Sequence, residues 1–205
     1  HGHQDDLSVI VWAHGQYLLV DPLYGSYSGS SATEWLESAF GHNTVVVNGK
    51  NQTTKRSGSM DRWETNEAYD YLLESSPNTT DAEFSREIVY VRPGFWIVND
   101  ILKPRKSVAG LENKYVQSWH MLPEAKLTLD ADSRISRTNF DGANISVIPV
   151  GAETLSRAEL ADGLYSEGQG SMINAKYVEY EKRQTGTTTF NTILLPENID
   201  QDYQV

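Results

Sequence analysis

Val89-Tyr90-Val91-Arg92-Pro93-Gly94-Phe95-Trp96-Ile97-Val98 decides the fold. Two arms rich in β-branched and aromatic residues flank Pro93-Gly94, and such residues suit the pleated, half-buried surface of a strand. Proline fixes φ and glycine accepts positive φ, so the dipeptide turns the chain back on itself. The stretch therefore reads as a β-hairpin whose aromatics are buried between sheets. Outward from it, short apolar or alternating runs recur at residues 7–11, 17–20, 44–47, 127–129, 145–150, 177–180 and 189–195, each the length of a strand. Asn48-Gly49, Asp141-Gly142 and Asp162-Gly163 supply further turn residues. Residues 32–40 give one or two helical turns, with Thr33 as cap and Glu34 and Glu37 in or near the first turn. The polar stretch 52–61 reads as an exposed loop, and so does 75–81 around Pro77. Many strands with so little helix predict an all-β fold, an antiparallel two-sheet β-sandwich spanning residues 1–205 as one domain.

Composition bounds the rest. The 205 residues are 39% hydrophobic and 10% aromatic, enough for a real core and too apolar for intrinsic disorder. Lys+Arg 17 against Asp+Glu 28 leaves a net charge of -11, which argues against sequence-independent binding to nucleic acid or to an anionic membrane. No run of about 18 apolar residues is present for a membrane span. His1-Gly2-His3-Gln4-Asp5-Asp6 lacks the charged and apolar regions of a secretory leader. The absence of cysteine removes disulfide scaffolds, thiolate zinc sites and thiol nucleophiles together.

Four of the five histidines, His1, His3, His14 and His42, fall in the first 42 residues. If residues 1–11 are extended, His1, His3 and Asp5 share one face, with neighbouring side chains about 6.5 Å apart. Asp21 closes the 17–20 strand and His42 opens the next, so both stand at strand ends. His, Asp and His from three neighbouring strands form a donor set for a divalent ion such as Zn²⁺, with a fourth position open to water or substrate. The plainer reading of a lone His-x-His is a surface or tag-like pair. His14, before Gly15, belongs in an exposed turn, and His120 reads as a core strand histidine. Tyr24, Tyr27 and Trp35 can stack on a sugar ring or pack a core. Lys50, Lys55, Arg56 and Arg62 would make either a basic patch or an ordinary solvated loop.

Three segments carry a family resemblance: His1-Gly2-His3-Gln4-Asp5, Gly15-Gln16-Tyr17-Leu18-Leu19-Val20-Asp21-Pro22, and Gly41-His42-Asn43-Thr44-Val45-Val46-Val47-Asn48-Gly49. Together with Ser85-Arg86-Glu87-Ile88-Val89, the Val98-Asn99-Asp100 end of the hairpin and the closing Phe190-Asn191-Thr192-Ile193-Leu194-Leu195-Pro196, the chain resembles the heparinase II/III-like C-terminal domain of polysaccharide lyases. It departs at Leu23, where a glycine commonly follows the proline. The resemblance implies a β-sandwich that a longer parent joins to an N-terminal helical (α/α) toroid, with the active site in the cleft between them. By position it implies His1 as the catalytic histidine and His3, Asp21 and His42 as Zn²⁺ ligands; the nearby Asp5 carboxylate could then orient a histidine through its other ring nitrogen. The implied substrate is an anionic uronate polysaccharide or oligosaccharide, alginate or a heparan-type chain, cleaved by β-elimination in the periplasm or outside the cell. The tyrosine and remaining catalytic groups would come from the toroid, so the isolated chain is expected to show little turnover. Two rival classes stand beside this reading. One is a non-catalytic carbohydrate-binding or structural sandwich with a stabilising metal. The other is a Zn²⁺-dependent hydrolase, for which Asp5 would have to serve as base.

Overall fold

The computed structural model describes residues 3–22, 30–55, 57–168 and 171–198. A short hairpin, β1 (Val11–Ala13) and β2 (Gln16–Leu19), precedes α1 (Ser31–Glu37), a 3-10 turn (Ala39–Gly41) and β3 (Val45–Val47). The long strands follow: β4 (Ser59–Thr65), β5 (Tyr69–Ser76), β6 (Ala82–Val91), β7 (Phe95–Pro104) and β8 (Asn113–His120). Next come β9 (Thr128–Leu129), β10 (Ser136–Arg137), β11 (Asn144–Val150), β12 (Arg157–Tyr165), β13 (Ile173–Gln184) and β14 (Thr188–Glu197). One sheet has eight strands in the order β4-β5-β6-β7-β14-β11-β10-β9, and the other has four in the order β12-β13-β8-β3. All pairings are antiparallel. No helix among the described residues is long and apolar enough to cross a membrane.

The sandwich follows from strand periodicity. In β14 the side chains of Thr188, Phe190, Thr192 and Leu194 are buried while those between them are not, which is the alternation expected when one face meets another sheet. Phe84, Val98, Leu102, Val147 and Leu194 of the larger sheet share one apolar cluster with Val45, Tyr115, Trp119, Val178 and Tyr180 of the smaller. Arg86 and Asp100 sit directly opposite each other across β6 and β7, at core-facing positions. Their bidentate pair, Nε to Oδ1 at 2.6 Å and Nη2 to Oδ2 at 2.8 Å, lies between the sheets. Gln117 Nε2 of β8 donates to the same carboxylate at 2.8 Å, and Thr192 Oγ1 donates to Gln117 Oε1 at 2.9 Å. A buried ion pair is costly to desolvate, and this one is matched at nearly every polar atom.

Several expectations are corrected by these elements. Residues 3–10 form no strand, because their backbone groups bond to side chains of other elements rather than to a ladder. Ser30, not Thr33, caps α1: its Oγ accepts from the Thr33 N–H at 3.2 Å. Asp162-Gly163 lies inside β12 and makes no turn; Gly163 is there because a Cβ would come within 2.8 Å of Trp35 and 2.9 Å of Tyr177. The stretches expected to be loops at 52–61 and 75–81 contribute their ends to β4 and β5. Strands β4, β5 and β12 carry no clean alternation, since all their residues but Ser76 are exposed or half-buried on both faces.

Candidate metal centre

The centre is assembled from three segments that no single ladder joins. His3 lies on the irregular arch formed by residues 3–9. Its neighbour Gln4 donates its N–H to the Glu37 carbonyl at 2.8 Å and accepts from Asn51 Nδ2 at 2.7 Å. Asp6 is the anchor of the arch. Its N–H donates to Gln52 Oε1 at 2.9 Å, its carbonyl accepts from Thr44 Oγ1 at 2.9 Å, and its Oδ2 accepts from Ser76 Oγ at 2.5 Å and Asn78 Nδ2 at 2.7 Å. Leu7 then takes a φ of 60°, which turns its carbonyl to the buried Arg86 Nη1. The same Nη1 donates to the Asn43 carbonyl at 2.6 Å, so one guanidinium ties the arch to the residue after His42.

Asp21 follows the β2 exit, where Val20 donates to the His120 carbonyl at 3.0 Å. Asn43 closes the group: its Nδ2 donates to the Val9 carbonyl at 2.7 Å and the Val20 carbonyl at 3.0 Å, and its Oδ1 accepts from the His120 N–H at 2.6 Å. Gly41, just before His42, packs where a Cβ would stand 2.9 Å from the Trp35 carbonyl, which lets the chain pass close under α1.

His3, Asp21 and His42 each bring a ligand atom within 4.8 Å of the others. The His3 and His42 ring centroids are 5.4 Å apart, and His42 Nδ1 lies 3.2 Å from Asp21 Oδ2. His42 is fully buried, and while Nδ1 faces the Asp21 carboxylate, Nε2 has no hydrogen-bond partner among the described residues. An unmatched polar atom in the interior costs roughly 1–3 kcal/mol, and coordination would remove that cost. Two imidazoles and a carboxylate from separate segments are the donor set of a Zn²⁺ site with one further position. The residues present therefore fit a divalent metal, and the three assigned from the sequence are the three that converge.

Other residues fall differently. His1, Tyr24, Tyr27 and Arg56 lie outside the described residues. Asp5 is not in the donor cluster; it offers its backbone carbonyl to Ser8 N–H at 2.9 Å, and the carboxylate that matters is that of Asp6. His14 sits exposed in the β1–β2 turn at φ 51°, as expected. His120 is a buried strand histidine, also as expected, stacked on Tyr177 at 4.3 Å and met edge-on by Trp35 at 5.8 Å. Burial, reinforced by His42, pushes its pKa down to about 3, so the ring beside the centre stays neutral. Trp35 serves this packing. Lys50 pairs with Asp81 at 2.9 Å, and Arg62 pairs with Glu64 on β4, so these two make no common basic patch. Asn43, Asp6 and Arg86 were not singled out as site residues. The signal available for Asn43 is its position, directly after His42 and before the run Val45-Val46-Val47.

Fold and centre together define an antiparallel β-sandwich with a His-Asp-His donor set on an N-terminal arch. The chain belongs to the Heparinase II/III-like, C-terminal family, whose profile matches residues 1–193. It is 20% identical over 208 residues to a heparin-sulfate lyase of Pedobacter heparinus, covering 96% of this chain and 30% of that protein. The structure of heparan sulfate lyase HepC from Pedobacter heparinus superposes with a TM-score of 0.84 at 18% identity, over 98% of this chain and 32% of that one. A heparinase III structure gives 0.80 at 16% identity, over 98% and 30%. At such identities the likeness to solved structures carries the fold. The chain spans about a third of the length of these relatives.

Proposed function

We propose that this chain is the metal-bearing β-sandwich of a polysaccharide lyase that cleaves a uronic-acid-containing chain by β-elimination. The observation that supports it best is the convergence of His3, Asp21 and His42, which fixes the arch two residues beyond His1. In this reading the C5 proton, α to the uronate carboxylate, is removed, its electron pair forms the C4–C5 double bond, the C4–O bond breaks, and the leaving oxygen takes up a proton. His1 accepts the C5 proton or helps neutralise the carboxylate. The other acid-base groups come from a helical toroid elsewhere in the parent, which acts in the periplasm or outside the cell. His3, Asp21 and His42 would hold a Zn²⁺ ion, which would cross-link three chain segments, and Asp6, Asn43 and Arg86 keep those segments in place.

The test is His1→Ala in the full-length parent, with ultraviolet absorbance of the unsaturated product and zinc content measured side by side. Loss of at least about a hundredfold in turnover, the low end for an acid-base residue, with zinc retained supports the lyase. Unchanged turnover on uronate polysaccharides, or a product lacking the double bond, rejects it. Zinc at one per chain, lost in His42→Ala, is the matching result for the donor set. A folded chain without zinc that ignores added Zn²⁺ rejects that assignment.

A further inference from the structure

A pocket opens between residues 53–55 and 77–80. Thr53, Lys55, Pro77, Asn78, Thr79, Thr80 and Arg105 line it, and no acidic side chain is among them. Its walls are tied to the metal-bearing arch. Asn78 donates to Asp6, and it accepts at its carbonyl from Thr53 N–H at 2.9 Å and at Oδ1 from Thr53 Oγ1 at 3.0 Å. Arg105 is fixed from behind, with Nη2 donating to the Pro77 carbonyl at 3.1 Å and both Nε and Nη2 to the Thr79 carbonyl at 3.4 Å. That leaves Nη1 of a pre-oriented guanidinium without a bond among the described residues, and Lys55 likewise without an ion pair. Thr79, at the pocket wall, is 3% exposed, and its hydroxyl has no hydrogen-bond partner among the described residues.

Two cations on one pocket whose lining holds no acidic side chain are charged donors without a charged acceptor. Charge-assisted bonds from Lys and Arg are the usual holders of carboxylate and sulfate oxygens. The surroundings sharpen the point: with a net charge of -11, an anionic chain can be held only where cations are collected locally. The pocket is also distinct from the donor cluster, with which it shares no residue.

We propose that this pocket is an oxyanion subsite that takes a sulfate or carboxylate group of an anionic polysaccharide, Lys55 and Arg105 supplying the charge. The identity of the ligand as a saccharide rests on the lyase reading; the pocket's anion chemistry does not. The test is amide NMR of the 205-residue chain titrated with inorganic sulfate and with a heparan sulfate tetrasaccharide at constant ionic strength. Both probes are expected to shift the amides of Thr53, Lys55, Thr79 and Thr80. Lys55→Gln, which removes no contact of the fold, should weaken tetrasaccharide binding about tenfold, the loss of one charged hydrogen bond, while Lys55→Arg restores it and zinc content stays the same. Shifts confined to other surfaces, an unchanged affinity in Lys55→Gln, or no response to either probe would overturn the subsite. A response to sulfate without one to the tetrasaccharide would overturn its assignment to a polysaccharide. Because binding is read without turnover, the lyase reading can fail in the parent while the subsite stands, and the reverse.

Discussion

The arch at residues 3–9 and the β6–β7 hairpin lie against the same guanidinium but are held by opposite means. The hairpin is a ladder of ten residue pairs from Ala82↔Pro104 to Val91↔Phe95, flanked by β5 on one side and β14 on the other, so its backbone groups are met by neighbouring strands. The arch has no ladder. It is suspended by side chains from distant parts of the chain, Gln52, Asn43, Ser76, Asn78 and Arg86. A ladder gives a straight, rigid element whose side chains alternate outward. Suspension lets the backbone take the positive φ at Leu7, and His3 at the start of the arch meets His42 and Asp21. The regular region supplies stability and the irregular one supplies the site, and Arg86 is where they join.

Removing that junction should have the largest effect. Asp100→Ala leaves Arg86 buried and unpaired, and breaking such a pair costs about 3–5 kcal/mol. Urea unfolding should show a loss of that size, with amide exchange accelerated in both sheets and in the arch. A loss confined to the arch would mean that the hairpin does not depend on its ion pair. Asp6→Ala should cost less, about 1–3 kcal/mol, because it leaves Ser76 and Asn78 without their acceptor. Its signature should be local: faster exchange across residues 4–9 and weaker zinc retention, with the β6–β7 amides as protected as before. If Asp6→Ala loosened the hairpin as much as Asp100→Ala does, the two regions would be one cooperative unit. Lys103→Ala is the smallest change. Its ammonium lies 3.4 Å from Glu83 on the exposed face of the same hairpin, with both side chains more than 60% exposed, so thermal unfolding should move by less than about 0.5 kcal/mol.

The hairpin was legible because everything that makes it is local: β-branched and aromatic arms and a Pro-Gly turn. The same holds for β11 and β14, whose apolar runs mark their cores. Strand β8 was harder, since Asn113, Gln117, Ser118 and His120 are buried polar residues whose partners lie in other elements, and no periodicity announces a buried amide. The exposed edge strand β4 hid for the opposite reason, having little buried face to pattern.

For the centre, His3, Asp21 and His42 could be named from residue type and resemblance, because imidazole and carboxylate are what a divalent ion requires. Residues 3–9 reach the centre as an irregular arch and not as a strand, and the Asp6 carboxylate holds that arch to Ser76 and Asn78. Sequence alone determined the all-β class, the main hairpin and the donor types, since strand period and ligand chemistry are properties of a few adjacent residues. Only the tertiary structure decided that the donors meet, because that depends on bonds such as Asn78 to Asp6 and Arg86 to Leu7, between residues 72 and 79 positions apart. Such contacts exist only after both sheets have closed on the core, and no local pattern encodes them.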